Sequence, residues 1–369
     1  MLNKENIIKY FDKENNFLEY FNMEDGFYLR TGILEKQADG KYKDTGIDPF
    51  SREFPSLLDI GIMGRCIHGE TGLCMKSGVQ CYQNGLNIHK PNMSFEDYKL
   101  IIDQCKGKLF QVALGGRGDV DQHENFEDIL KYTRENNIVP NFTTSGLGMT
   151  VEKAKICKKF AGAIAVSYYR SNYTFKAIEL LLNEGVTTNI HYVLSKNSID
   201  EAIDKIKNNS WPKGINAVIF LLHKPVGLGK KELMLDINDS KVKEFFDLID
   251  NFKGDYQIGF DSCSIPFILN LTKNISQMSI DTCEGSRFSG YVDADLNFMP
   301  CSFDNEDLKW SESLKEKSIK EIWDGVKFNN FRDSLRNSCP SCDKRNECMG
   351  GCPIKREIVG CNSPYKDLK

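Results

Sequence analysis

Thirteen cysteines stand in this 369-residue chain, and eight of them fall between positions 263 and 361. The densest run is Cys339-x2-Cys342-x5-Cys348-x3-Cys352, followed by Cys361, with Cys263, Cys283 and Cys301 upstream. Thiolates are soft ligands that suit zinc or iron–sulfur clusters, and close spacing lets neighbouring loop residues grip one ion or cluster. Eight such thiols divide into two four-thiolate sites, which either metal accepts. A second constellation, Cys66-x7-Cys74-x6-Cys81, directly follows a strand-like run. Three cysteines leave one metal position for a substrate or cofactor, whereas His68 as a fourth ligand would close the site and favour structural zinc. Cys105 and Cys157 fall within helical patterns and read as buried apolar thiols.

Disulfides are a poor explanation for these thiols. The first residues, MLNKENIIKYFDKENN, hold no continuous apolar stretch and no small-residue cleavage site, so a signal peptide is not expected. No apolar run approaches the ~18 residues that span a bilayer. The expected location is therefore the cytoplasm, where thiols stay reduced, and an odd cysteine count fits a disulfide framework badly. The net charge of −4 and pI of about 5.9 give no reason for a nucleic-acid partner. The Lys224–Lys231 run reads as a solvated loop.

The elements that must position these residues alternate. Short apolar or β-branched runs at Leu57–Met63, Leu109–Leu114, Ile138–Thr144, Ala163–Tyr168, Thr187–Leu194 and Ala217–Leu222 predict strands. Helical patterns begin near Ser94, Glu124, Thr150, Thr174 and Ser198, with Ser94 and Thr150 as caps. Six βα units predict an α/β fold with a parallel sheet, either open and doubly wound or closed as a barrel, and periodicity does not choose. In both, ligands collect at the carboxyl ends of the strands. Those ends carry Gly115, Gly116 and Arg117, then Thr144 and Ser145, then Ser167 and Arg170, and finally Lys224 with the Gly227-x-Gly229 turn. His191 lies inside the fifth strand, where it either faces the interior or is a bonded core histidine. Residues 1–50 predict a short helix followed by an irregular or hairpin segment. The pattern loosens after residue 260, which divides the chain into 1–50, 51–260 and 261–369.

The stretch LLDIGIMGRC…CYQNG, with the C-terminal CX2CX5CX3C run, its two upstream cysteines and its last cysteine, resembles the radical S-adenosylmethionine (SAM) enzymes that carry a C-terminal SPASM cluster domain. The resemblance covers most of residues 51–369. It departs in three places: the usual CX3CX2C is expanded, the usual GGE is Gly115-Gly116-Arg117, and Asp295-Leu296 replaces a glycine upstream of the second SPASM cysteine.

The resemblance implies a partial (β/α)6 TIM-like barrel, SAM, and three [4Fe–4S] clusters. Cys66, Cys74 and Cys81 would hold the SAM-binding cluster, with Tyr82 as the aromatic residue that ends the motif. Gly115 and Gly116 would lie against the amino-acid part of SAM, with Arg117 beside them as a cofactor contact or a surface charge. Ser145 and Ser167 would lie near its ribose or serve as turn or cap residues, and Arg170 would pair with its carboxylate. Cys339, Cys342, Cys348 and Cys361 would bind one auxiliary cluster, and Cys283, Cys301 and Cys352 the other. Cys263 is the candidate for its fourth ligand; as a core thiol instead, it would leave that cluster an open iron for substrate. The implied activity is hydrogen abstraction from a peptide or protein by a 5′-deoxyadenosyl radical, as in thioether or other crosslinking of ribosomal peptides. A reducing partner such as flavodoxin or ferredoxin would supply the electron. Residues 1–50 are short for a winged-helix leader-binding module. A formylglycine-forming sulfatase maturase is the alternative activity, but the Asp after its second upstream cysteine is here Ser302. Asp304 and His191 remain as acid–base candidates. The alternative class is a non-catalytic zinc protein or an electron carrier.

Overall fold

The computed structural model describes residues 6–76, 78–276, 279–305 and 307–362. The N-terminal segment departs from expectation. It forms a three-stranded antiparallel sheet of β1 (Ile7–Asp12), β2 (Phe17–Asn22) and β3 (Tyr28–Arg30), then a hairpin of β4 (Leu34–Lys36) and β5 (Tyr42–Asp44). The reason is a period of two, because Phe17, Glu19 and Phe21 all point to the buried face. Asn16, in the left-handed region at φ 58°, closes the turn between the first two strands.

A buried ion pair fastens this sheet to the body. Arg52 Nε lies 2.5 Å from Glu19 Oε2, and its other guanidinium nitrogens donate to the carbonyls of Phe54, Pro55 and Lys108. Phe21 stacks on Phe110 at 5.5 Å, just before the second strand of the body.

The body is one ten-stranded sheet. Its parallel strands are β6 (Leu57–Met63), β7 (Gln111–Gly116), β8 (Val139–Thr144), β9 (Ala163–Ser167), β10 (Thr187–Leu194), β11 (Ala217–Leu222) and β12 (Gln257–Phe260). They lie side by side in chain order, with no reversal. Right-handed crossovers that always step the same way put every helix on one face. This ordering excludes the doubly wound alternative and leaves the other face free to line an interior. The sheet stays open, because β12 forms one edge. At the other edge β13 (Ser289–Val292) pairs parallel with β6, and β14 (Asn297–Met299) and β15 (Glu312–Ser313) add antiparallel strands. The segment after residue 260 is thus continuous with the same sheet.

Twelve helices complete the described residues. Two single-turn helices, α1 (Ile67–Thr71) and α2 (Leu73–Lys76), follow β6. The crossover helices are α3 (Phe95–Cys105), α4 (Phe126–Glu135), α5 (Val151–Phe160), α6 (Asn172–Asn183), α7 (Ile199–Lys207) and α8 (Ser240–Asp250). Ser94 and Thr150 cap α3 and α5 as expected, each accepting from the backbone N–H three residues on. Cys105 and Cys157 are buried on those two helices. The C-terminal part adds α9 (Ile265–Leu271), α10 (Ile319–Trp323), α11 (Val326–Arg336) and α12 (Arg345–Cys348). No helix among the described residues is long and apolar enough to cross a membrane.

Alternation along the strands sorts residues between the helix face and the inner face. On β10, Ile190, Tyr192 and Leu194 are buried toward the helices, so His191 and Val193 point inward. On β6, Leu58 and Ile60 enter the core and Asp59 points inward.

Candidate cluster sites at the strand ends

The loop after β6 carries Cys66, Cys74 and Cys81. Its expanded spacing is taken up by α1 and α2, which coil the extra residues instead of extending them. Cys66 and Cys81 meet at Gly85, where a Cβ would stand 3.1 Å from Cys66 Cβ and 3.7 Å from Cys81 Sγ. The Gly85 N–H donates to Cys81 Sγ at 3.4 Å, and the His68 and Gly69 amides face Cys66. Burial still holds the Cys66 thiol up at about 11. Burial first, then the charges of Asp119, Cys81, Cys74 and Cys66, push the Tyr169 hydroxyl far above its usual range. Cys66 and Cys81 are therefore brought together at Gly85, and Cys74 lies near enough to act on the same phenol.

The backbone of this loop is held from β11. The Leu228 N–H donates to the Cys81 carbonyl at 2.9 Å, and Gly227, at φ 62°, lies so close that a Cβ would be 2.4 Å from the Tyr82 carbonyl oxygen. The Gly227-x-Gly229 turn is thus a backbone clamp on the third cysteine. Tyr82 itself packs on Phe303 at 5.4 Å.

His68 is turned to the other side. Its Nε2 lies 2.5 Å from Ser145 Oγ, and its ring sits between Tyr169 and Tyr173. Ser145 donates in turn to Asp119 Oδ2 at 2.5 Å, and its amide to Asp119 Oδ1 at 2.7 Å. The Ser145 hydroxyl, expected near a ribose, is instead buried in this strap, which ties the cysteine loop to the end of β8. Ser167 ends β9 on the inner side and makes no side-chain hydrogen bond among the described residues.

At the end of β7, a Cβ on Gly115 would meet nothing within 4 Å, so open space lies there. Gly116, at φ 115°, allows β6 to approach, since a Cβ would lie 2.5 Å from the Met63 carbonyl oxygen. The Arg117 guanidinium makes no hydrogen bond or ion pair among the described residues, and its Nε is buried. Its charge acts on Tyr291. Arg170 departs from expectation. Its Nε bonds Glu201 at 2.7 Å and Nη2 the Tyr192 hydroxyl at 3.1 Å, which turns the fork toward the helix side. The left-handed backbone of Arg170, φ 57°, aims it there.

Within the interior, burial lowers His191 to about 4 and keeps it neutral, with Thr143 Oγ1 3.4 Å from its Nδ1. Asp59 has no hydrogen-bond partner among the described residues, and burial raises it to about 6. The sequence reading passed over Asp59; the alternation of LLDIGIM carried the signal. Asp304 is a structural cap. Its carboxylate accepts the amides of Lys309 at 3.2 Å and Trp310 at 2.9 Å.

The later cysteines form two groups. Cys263 hydrogen-bonds Cys352, and that bond, then burial, pushes Cys263 well upward. Cys283 and Cys301 both feel Cys263, and Cys301 feels Cys283. Burial raises Cys283 to about 11. Backbone amides of Gly285, Phe303 and Lys355 face Cys283, Cys301 and Cys352, the arrangement that suits metal-bound sulfur. The second group, Cys339, Cys342, Cys348 and Cys361, lines a hollow of about 440 Å³ beside Leu269 and Val359. Left-handed residues Cys339, Met349, Gly350 and Gly351 wrap the chain around it. Among the described residues no three His, Cys, Asp or Glu side chains close on a single ion position. Wider-set thiols suit a cluster, in which each sulfur takes a different iron.

Residues 283–349 match the SPASM family, an iron–sulfur cluster-binding domain. Among solved structures, Streptococcus suis SuiB bound to its precursor peptide SuiA aligns over 99% of both chains, with TM-score 0.69 and 13% identity. The chain shares its fold with this structure and carries the SPASM match within it. SuiB bound to SAM aligns over 82% of this chain and 74% of its own, with TM-score 0.63 and 18% identity. The structure of anSMEcpe with bound AdoMet aligns over 84% and 89%, with TM-score 0.59 and 18% identity. No curated protein matches by sequence.

Proposed function

We propose that this protein is a radical SAM enzyme that modifies a peptide or protein, forming a thioether or other crosslink in a ribosomally made precursor. The observation that carries the reading is the approach of Cys66 and Cys81 at Gly85 in the loop after β6, with Cys74 in the same loop. A set of three thiols provides three iron ligands and leaves one iron for an exogenous ligand. The residues fit: Cys66 and Cys74 are buried and Cys81 is half-buried, amides are aimed at sulfur, and free space lies beside Gly115.

Cys66, Cys74 and Cys81 would hold a [4Fe–4S] cluster there, which with SAM and one electron would supply radical hydrogen-abstraction chemistry. The chain's own residues do the rest. The turn at Gly227 holds the Cys81–Tyr82 backbone, the Asp119–Ser145–His68 strap holds the loop's start, and Arg117 offers an unpaired fork for a carboxylate. The neutral imidazole of His191 and the Asp59 carboxyl line the interior that a substrate side chain would enter. Cys263, Cys283, Cys301 and Cys352 would hold one auxiliary cluster, and Cys339, Cys342, Cys348 and Cys361 the other.

Support for a peptide substrate comes from SuiB, whose structure holds its precursor peptide. The formylglycine alternative loses support from Asp304, whose carboxylate is committed to two amides. The electron would come from a small reductant of the flavodoxin or ferredoxin kind, and the reduced thiols fit a cytoplasmic location.

Anaerobically reconstituted protein should hold about twelve irons per chain. With SAM and a strong reductant it should form 5′-deoxyadenosine, and Cys81→Ala should abolish this. Zinc without iron or sulfide would sink the reading, as would undiminished 5′-deoxyadenosine in Cys81→Ala.

A further inference from the structure

Lys224 was expected in a solvated loop, yet it is 8% exposed and its ammonium is buried. Nζ donates to Asp261 Oδ2 at 2.5 Å and to the Leu222 carbonyl at 2.9 Å, and it lies 4.8 Å from the centre of the Phe303 ring. Asp261 is itself fixed, accepting the Leu222 amide at 3.1 Å on Oδ2 and the Ser264 hydroxyl at 2.8 Å on Oδ1. The two side chains that grip Lys224 each stand two residues from a cysteine: Asp261 precedes Cys263, and Phe303 follows Cys301. The cation is therefore pinned between the segments that carry both thiols. Burial alone would lower the Lys224 pKa, but Asp261, then Cys263 and Cys301, hold it above its usual value, so the group is charged.

We propose that Lys224 is a positioning residue that sets the reduction potential of the auxiliary cluster held by Cys263, Cys283, Cys301 and Cys352. The inference rests on the proposed function, which supplies that cluster. Reduction adds one negative charge to a cluster, and a fixed cation beside its sulfurs stabilises the reduced form more than the oxidised one. Net charge, hydrogen bonds to sulfur and burial are the protein's levers on such potentials, and in a buried site the charge is weakly screened. Lys224 therefore raises the potential of this cluster, and Asp261 moderates the effect.

The test is a potentiometric titration of the reconstituted full-length protein, followed by electron paramagnetic resonance, with iron and sulfide counted in the same samples. Lys224→Met should keep its iron and shift one auxiliary midpoint to more negative potential, leaving the other two in place. Lys224→Arg should restore the midpoint. Asp261→Asn removes the opposing charge and should shift the same midpoint the other way, an outcome that general loosening of the fold does not produce. Unchanged midpoints in Lys224→Met, or shifts of the same sign in Lys224→Met and Asp261→Asn, overturn the proposal. Should Lys224→Met fail to assemble its clusters, the comparison of Asp261→Asn and Lys224→Arg with the parent decides. Wild-type protein that takes up zinc and no iron overturns the proposed function itself, and this inference with it.

Discussion

Replacing Gly227 by alanine should remove one cluster and leave two. The residue sits at φ 62°, and an added Cβ would lie 2.4 Å from the Tyr82 carbonyl oxygen and 2.7 Å from that of Cys81. The left-handed conformation alone costs an alanine about 1 kcal/mol. The steric term is larger, because both obstacles are backbone and neither has a rotamer to yield. Reaching an ordinary contact moves the Cys81–Tyr82 peptide by about 1 Å. It also breaks the 2.9 Å bond from the Leu228 amide to the Cys81 carbonyl. Metal–ligand distances tolerate only about 0.2 Å, so Cys81 no longer meets its iron. Reconstituted Gly227→Ala should carry about eight irons instead of about twelve and form no 5′-deoxyadenosine. Gly115→Ala is the control, since its Cβ meets nothing within 4 Å. It should keep its full iron content and show a raised KM for SAM, whose space it enters. Full iron and unchanged SAM cleavage in Gly227→Ala would refute the reasoning.

Asp59 gives a pH-dependent prediction. Burial raises its carboxyl to about 6, so the folded chain binds this proton more tightly than the unfolded chain. Its contribution is favourable below about pH 4, is lost as pH rises through 6, and at pH 8 the charged form costs up to about 3 kcal/mol. Asp59→Asn should therefore raise urea resistance at pH 8 and gain about 1.4 kcal/mol less at pH 5; an equal gain at both pH values counts against it. Arg52→Met leaves Glu19 buried without its cation and should destabilise the chain by about 3–5 kcal/mol, seen as a lower unfolding midpoint in urea; a change below about 1 kcal/mol would show the pair to be dispensable. The double variant Cys263→Ala with Cys352→Ala should lose about four irons while still cleaving SAM, and full iron retention would remove the proposed four-thiol site.

Local pattern carried much of the fold. Three of the six expected strands match their observed bounds, and both expected serine and threonine caps are made, because strand period and capping depend on residues a few positions apart. The N-terminal sheet was missed for a related reason. Its strands are short, and their burial depends on the distant Phe110 and Arg52. Asp59 was legible in the alternation of β6, but a lone carboxylate gains meaning only when no partner lies within reach.

By itself, the sequence determined the chemistry on offer: soft ligands in three groups, and strands ending in small and polar residues. Ligand type and short spacings are local properties that any fold must respect. Tertiary structure alone decided which distant residues meet. It coiled the expanded loop so that Cys66 and Cys81 meet at Gly85, and it brought Cys263 to Cys352. It turned Arg170 toward Glu201 and buried Lys224 on Asp261. Each of these depends on packing between segments far apart in the chain, and spacing along a sequence does not encode the path by which those segments return to one another.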